Sequence, residues 1–188
     1  MHRWIFFNLA YYQRPIWDTG ISPPELMDFI ATHAPGQAIE LGSGSGTNAV
    51  TLAKAGWKVT GVDFAHRAIR LARKKARQNG VQVDFHMDDV TRLGAIHGPF
   101  DLILDIGCFH SLSSSAQSKY SANIERLLAP TGTYLLYAFF KHQAEILGPG
   151  ITEDTVHKLR EKFELIQRQD GNEGDIRPSA WLTFKRRL

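Results

Sequence analysis

The segment Ala38-Ile-Glu-Leu-Gly-Ser-Gly-Ser-Gly-Thr47 constrains this chain more than any other, because an apolar run enters three alternating glycines and leaves into a helical pattern. Gly42, Gly44 and Gly46 permit a sharp bend and let a ligand approach the backbone without meeting a Cβ. A helix that starts behind them aims free N–H groups at whatever lies in the bend. The dinucleotide fingerprint needs glycine or alanine three positions after Gly44, and Thr47 stands there. The phosphate loop needs a GK[ST] ending, which is also missing. A purely structural glycine turn is the plain alternative.

From Gln37 onward, short runs rich in β-branched and aromatic residues alternate with longer segments of helical period, which predicts an α/β fold with crossover helices. Strands are expected at Gln37–Leu41, Lys58–Val62, Gln82–His86, Asp101–Asp105, Tyr134–Phe139, Glu164–Gln169 and Ala180–Lys185. Helices are expected at Thr47–Ala55, Ala65–Gln78, Ser114–Ala129 and Glu153–Lys162. Asn79-Gly80, Pro130-Thr-Gly132 and Gly171-Asn-Glu-Gly174 supply turn chemistry. Upstream, two prolines open an amphipathic stretch, Pro23–His33, read as an extra helix. Before it, Trp4-Ile-Phe-Phe and Tyr11-Tyr-Gln-Arg-Pro-Ile-Trp17-Asp carry more aromatic surface than a free terminus keeps in water. Without a repeat or linker, the chain reads as one domain, with residues 1–35 as a lid segment and helix and 36–188 as the core.

The 188 residues are 43% hydrophobic and 22% charged, which excludes a disordered tail or a disulfide scaffold. No run approaches the roughly 18 to 20 apolar residues of a membrane span, and Trp4–Ala10 is read as part of the mature protein. The single Cys108 cannot pair internally, so a reducing cytoplasm is expected. A formal net charge of +3 does not by itself indicate nucleic acid.

Glu40-Leu-Gly-Ser-Gly-Ser-Gly46 resembles motif I, ExGxGxG, of the class I S-adenosylmethionine-dependent methyltransferases, and the resemblance extends along nearly the whole chain. It implies a Rossmann-like, seven-stranded, mostly parallel sheet with helices on both faces, an antiparallel last strand and an N-terminal helical lid. It also implies S-adenosyl-L-methionine as cofactor, with Gly42, Ser43, Gly44 and Gly46 wrapping its methionine part. Glu40 would hold the loop and orient the cationic ligand, since a sulfonium suits an acidic pocket. Asp63, at the second strand end, suits the ribose hydroxyls, a feature shared with NAD enzymes. Phe64 would lie on the adenine ring or in the core. Of Asp88 and Asp89, the second is favoured near the adenine amino group, with the Val90 N–H on the ring; an N-cap to a helical turn at Val90–Leu93 is the alternative.

Ligands of open α/β sheets bind beyond the carboxyl ends of strands, so the loop Asp105-Ile-Gly-Cys-Phe-His-Ser111 should face the methyl group, with Asp105 and Gly107 on the cofactor side. It lacks the prolines of the [DN]PP[YF] motif that serves amino nitrogens. Cys108 has no preceding proline and no target-recognition region to serve as a cytosine-directed nucleophile, and reads better as a small apolar residue. Gly107–Leu112 is similar instead to small-molecule methyltransferases of the thiopurine and tellurite-resistance type, which also carry a segment like Pro15-Ile-Trp-Asp-Thr-Gly20. That likeness places Trp17, Asp18 and Gly20 near the cofactor as part of a lid.

In-line transfer chiefly needs alignment and exclusion of water. An alcohol or phenol acceptor would also need a proton acceptor, and His110 is the best-placed candidate, with a backbone-bonded helix-edge histidine as the alternative. Tyr12 is the second catalytic candidate. Tyr11, Tyr12, Trp17, Phe109 and Phe140 would build an aromatic wall for a flat or soft apolar substrate, or simply pack the core.

Arg67, Arg70, Arg73, Lys74, Lys75 and Arg77 interleave with Ala68, Ile69, Leu71, Ala72 and Ala76, so they read as the solvated face of a helix. His86, His97, His142 and His157 show no ligand spacing, and no metal is expected. The expected partner is a small-molecule methyl acceptor, without nucleic acid or membrane, for a monomer or homodimer. RNA methylation and a non-catalytic cofactor-binding protein are the rivals.

Overall fold

The structure, a computed structural model, describes residues 2–141, 149–173 and 177–187, so His142 and Gly174 lie outside it. The chain divides into two compact units, Met1–Val90 and Thr91–Leu188.

The first unit contains α1 (His2–Ala10), α2 (Pro24–Thr32), β1 (Gln37–Leu41), α3 (Thr47–Lys54), β2 (Lys58–Asp63), α4 (His66–Gln78) and β3 (Asp84–Met87). β1 pairs parallel with β2, from Gln37 opposite Lys58 to Leu41 opposite Val62, and β2 pairs parallel with β3. Strands covered on both faces read as continuous apolar runs, which is why Ala38, Ile39 and Leu41 are wholly buried. Gly61 carries no Cβ because one would stand 2.6 Å from the Phe85 ring, so the neighbouring strand's phenylalanine lies across it. β3 begins at Asp84 rather than Gln82, since pairing with β2 starts at Thr60 opposite Asp84. On α4, Ala68, Ile69, Ala72 and Ala76 form the buried stripe. Two prolines start α2, which buries Leu26 and Phe29, the latter 5.8 Å from the Trp57 ring.

The second unit contains β4 (Phe100–Ile106), a 3-10 turn (Phe109–Ser111), α5 (Ser114–Leu127), β5 (Leu128–Phe139), α6 (Glu153–Lys162), β6 (Phe163–Glu173) and β7 (Arg177–Arg186). β4 and β5 run parallel, while β7 runs antiparallel to both β5 and β6. Side-chain caps start both helices: Ser113 accepts from the Ala116 N–H, and Thr152 forms a reciprocal box with Thr155. Tyr134 stacks on Phe184 at 5.7 Å within a core that includes Leu102, Leu104, Leu136 and Leu182. Burying one such leucine contributes roughly 1.5–3 kcal/mol.

One expected turn, and the first three residues of another, belong to strands. β5 starts at Leu128, not Tyr134, and Pro130-Thr-Gly132 forms a bulge between the pairs Phe100–Leu128 and Leu102–Thr133. A Cβ on Gly132 would stand 2.7 Å from the Phe100 carbonyl oxygen, so the residue read as a turn former allows the bulge to close. Gly171–Glu173 lie within β6, opposite Ser179–Arg177 of β7. The strand order is β3-β2-β1 within the first unit and β4-β5-β7-β6 within the second, seven strands of the expected α/β kind with only β7 reversed.

Candidate active site

All three loop glycines adopt left-handed backbone angles, with φ of 76° at Gly42, 52° at Gly44 and 80° at Gly46. The N–H groups of Gly42 and Ser43 donate to the Val62 carbonyl, which ties the bend to the end of β2. A Cβ on Gly46 would stand 2.8 Å from Ala72 Cβ and 2.9 Å from Phe85 Cζ. The helix-packing role that a dinucleotide fold gives to the residue at position 47 therefore falls one position earlier here.

Gly46, at the N-cap of α3, has no side chain to satisfy the helix's free amides. Glu40 does so from β1: its Oε2 accepts from the Ala49 N–H at 3.0 Å and its Oε1 from Asn48 Nδ2 at 2.9 Å. Asp63, at the end of β2, accepts from the Gly44 N–H at 2.9 Å and from the Ala65 N–H at 2.7 Å. Burial raises the Asp63 carboxyl above its usual range, while those two hydrogen bonds act the other way. Beside them the buried Ser43 Oγ has no hydrogen-bond partner among the described residues.

The N-terminal arm rests on this loop. The buried Tyr11 places its hydroxyl 2.5 Å from where a Cβ of Gly44 would stand. Burial, and next the charge of Asp63, push the Tyr11 phenol well above its usual range. Trp17 Nε1 donates to that hydroxyl at 3.4 Å, and the indole packs on Phe7 at 5.7 Å. Ser45 Oγ donates to Asp18 Oδ1 at 2.9 Å and accepts from Lys75 Nζ at 2.8 Å; the same ammonium reaches Thr47 Oγ1 at 2.6 Å. Desolvation lowers the Lys75 ammonium, opposed by the charge of Asp18. Arg14 folds back on the arm, donating to the carbonyls of Asp18 and Thr19, and a Cβ on Gly20 would strike its guanidinium.

The expected site residues of this unit thus fall into two groups. Glu40, Gly42, Ser43, Gly44, Gly46 and Asp63 converge on the loop, and Trp17 reaches it through Tyr11. Tyr12 is instead exposed, with the Arg67 guanidinium 4.1 Å above its ring. Phe64 packs on Phe7 at 5.6 Å. The Asp88 N–H donates to the Asp63 carbonyl at 3.2 Å, and Asp88 Oδ1 accepts from the Asp89 N–H at 2.7 Å. Asp89 is exposed and Val90 buried in a simple turn, with no helical turn at 90–93.

In the second unit, Asp105 is wholly buried and accepts from the Cys108 N–H at 2.8 Å, the Phe109 N–H at 3.0 Å and the Tyr120 hydroxyl at 2.5 Å. Desolvation nevertheless pushes its carboxyl up to about 7. Gly107 follows with φ of 91°, conformationally a glycine position. His110 is buried, and its Nδ1 accepts from the Phe139 N–H at 3.1 Å, so a neutral ring carries its proton on Nε2. Burial, helped by Arg177, pushes this imidazole down to about 4. Phe109 is 1% exposed and packs on Tyr120, which makes it core rather than aromatic wall. Phe140 lies under Arg168 at 4.9 Å. Among the described residues no three His, Cys, Asp or Glu side chains gather to hold a metal, and no helix is long and apolar enough to cross a membrane.

Sequence reasoning missed Arg14, Ser45, Asn48, Lys75 and Tyr120. Lys75 had a readable signal, since it stands beside Ala68, Ala72 and Ala76 at helical spacing rather than opposite them. Ser45 and Tyr120 act through long-range contacts that no local pattern carries, and Arg14 and Asn48 through side-chain bonds four to eight positions away that have no periodic signature.

The methyltransferase-domain profile matches residues 38–132, about half of the chain. A 2-heptyl-1-hydroxyquinolin-4(1H)-one methyltransferase of Mycobacteroides abscessus is 30% identical over 155 residues, 80% of this chain and 68% of the relative. An uncharacterized methyltransferase of Schizosaccharomyces pombe is 36% identical over 101 residues, 54% of this chain and 70% of the relative. The solved structure of the N-methyltransferase NodS from Bradyrhizobium japonicum, in complex with S-adenosyl-L-homocysteine, shares the Rossmann-like fold, with a TM-score of 0.83 at 17% identity over 98% of both chains. The glycine bend and strand order define a class I methyltransferase fold. The chain belongs to the methyltransferase-domain family and is an enzyme that takes its methyl group from S-adenosylmethionine.

The residues present fit that cofactor. Two buried carboxylates, Glu40 and Asp63, flank a bend whose glycines leave no Cβ in the way, and Ser43 Oγ, without a partner among the described residues, sits within it.

Proposed function

We propose that the chain methylates a small organic acceptor by in-line displacement. The observation that carries this reading is the arm over the loop, Tyr11 against Gly44 and Asp18 bonded to Ser45, which suits an enclosed pocket better than a broad macromolecular surface. The relative from Mycobacteroides abscessus, named for a small heteroaromatic acceptor, supports it. The basic helix does not favour RNA. Arg67 donates to the Tyr11 carbonyl, Arg73 to the Phe85 carbonyl and Lys75 to Ser45 and Thr47, so half of the cations on that helix serve the fold.

S-adenosylmethionine supplies a methyl group already activated on a sulfonium. Toward it, Gly42, Ser43, Gly44 and Gly46 wrap the methionine part while Glu40 fixes the loop. Asp63 retains lone pairs for the ribose hydroxyls. Asp88, Asp89, Phe64 and Val90 flank the adenine, and Trp17 and Gly20 belong to the arm that excludes water. Asp105 and Gly107 shape the turn after β4, with His110 and Tyr12 on the acceptor side. The enzyme works in the cytoplasm as a single domain, monomeric or homodimeric.

Transfer of a labelled methyl group from S-adenosylmethionine to extracted small metabolites, RNA and protein tests the reading. Label is expected in the small-molecule fraction, and label confined to RNA or protein refutes it.

A further inference from the structure

We infer that the chain holds a second ligand site, for a free α-amino acid with an apolar side chain, in the cleft between the end of β5, the start of α6 and β6. The cleft has a volume of about 480 Å³, and its walls include Phe140, Lys141, Glu153, Arg168, Asp170 and Pro178. Cavities of that size take small molecules. The site is independent of the acceptor reading above and lies apart from the turn after β4. Phe139 packs on His110 at 4.5 Å, whereas the next residue, Phe140, lies under the Arg168 guanidinium at 4.9 Å. Consecutive side chains of an extended chain take opposite faces. Backbone bonds fix the walls, since the Phe140 N–H donates to the Pro178 carbonyl at 2.8 Å and the Lys141 N–H to the Ile151 carbonyl at 2.9 Å. The reciprocal box of Thr152 and Thr155 holds the first turn of α6.

The charges of the cleft do not cancel locally. Arg168 Nη1 and Nη2 each donate to Glu153 at 2.8 Å, and its Nε donates to Asp170 Oδ1 at 2.8 Å. Two carboxylates thus share one guanidinium, and one negative charge is left over. Their lone pairs are not used up, because each carboxylate has about four acceptor positions. Lys141 is exposed at the end of β5 and has no ion pair among the described residues. The cleft therefore presents a surplus negative charge on α6 and β6 and a surplus positive charge after β5. A ligand of one sign is attracted by the first and repelled by the second, or the reverse, whereas a zwitterion meets both with the right sign. Its ammonium donates to Glu153 and Asp170, and its carboxylate accepts from Lys141, both as charge-assisted hydrogen bonds. Phe140 and Pro178 supply apolar surface for the side chain.

Isothermal titration of the full chain with L-leucine, glycine, isocaproate and isoamylamine tests this, each with and without saturating S-adenosylhomocysteine. L-leucine is expected to bind with a Kd of about 1 mM or below. Isocaproate, which lacks the ammonium, and isoamylamine, which lacks the carboxylate, should each bind at least roughly tenfold more weakly. So should glycine, which offers nothing to Phe140 and Pro178. No binding of L-leucine up to about 10 mM, or equal affinities for all four, overturns the inference. Displacement of L-leucine by S-adenosylhomocysteine also overturns it, because the amino acid would then occupy the methionine part of the cofactor site. A chain that binds L-leucine but not S-adenosylhomocysteine leaves this site standing and counts against the cofactor assignment alone. Lys141→Met should weaken L-leucine at least roughly tenfold and leave isoamylamine unchanged. Asp170→Asn should weaken L-leucine and isoamylamine but not isocaproate. Both residues are exposed, so the melting temperature should hold. No loss in either variant, or the same loss for every probe, refutes the charge assignment.

Discussion

The Gly44 N–H donates to Asp63 Oδ2 across 2.9 Å, so a carboxylate at the end of β2 holds the centre of the bend that follows β1. The second oxygen holds the Ala65 N–H at the start of α4. One side chain thus sets both the loop and the helix beside it. In Asp63→Asn the amide nitrogen cannot accept, and one buried N–H is orphaned at a cost of about 1–3 kcal/mol. Urea unfolding should show that loss, and calorimetry should show at least roughly tenfold weaker S-adenosylhomocysteine binding; unchanged values would contradict the assignment.

Asp105 and His110 pull the pH dependence of stability in opposite directions. Asp105 titrates near about 7 in the fold against an ordinary 3.8, so the folded chain holds the extra proton and stability falls as pH rises through that window. His110 titrates near about 4 against an ordinary 6.5, so its contribution is complete above 6.5 and is lost as pH falls toward 4. Where the windows overlap the slopes oppose. Asp105→Asn should leave stability rising with pH between about 4.5 and 6, and His110→Asn should leave it falling, each by at most about 1.4 kcal/mol per unit. Urea melts at both pH values check the signs, and two variants with the same sign would defeat the account.

Ser45 joins the arm to the loop through Asp18 and Lys75. Ser45→Ala removes both contacts and should cost about 1–2 kcal/mol. Amide exchange over residues 11–20 should quicken selectively, and exchange that rises evenly over the chain would argue against a local clasp.

Gly46 and Gly80 separate backbone strain from crowding. Both have positive φ, but a Cβ at Gly80 meets none of the described residues within 4 Å, whereas one at Gly46 meets Ala72 and Phe85. Gly80→Ala should cost about 1–2 kcal/mol from its left-handed backbone alone, and Gly46→Ala a further ~1–3 kcal/mol from overpacking. Equal thermal losses for the two variants would remove the packing role of Gly46.

Much of this could be read from local pattern. Gln37–Leu41 emerged with the expected bounds because its whole apolar run is buried, and Gly42–Gly46 because alternate glycines after a strand have few other uses. Pro130–Gly132 misled, since turn residues also build bulges, and only the pairing of Leu128 with Phe100 distinguishes the two. The residue type of His110 was legible and its proton was not, because the tautomer depends on an amide 29 positions away. Lys75 was hidden by its charge, although its spacing matched the buried stripe.

The carboxylate of Glu40 against the Ala49 amide gives the bend an ionic preference of its own. In nucleotide-triphosphate and dinucleotide proteins, a bare helix end with its positive dipole welcomes phosphate. Here that end already carries a negative group, so polyphosphates meet repulsion, and ATP or NAD should compete feebly for a pocket that admits a positively charged nucleoside.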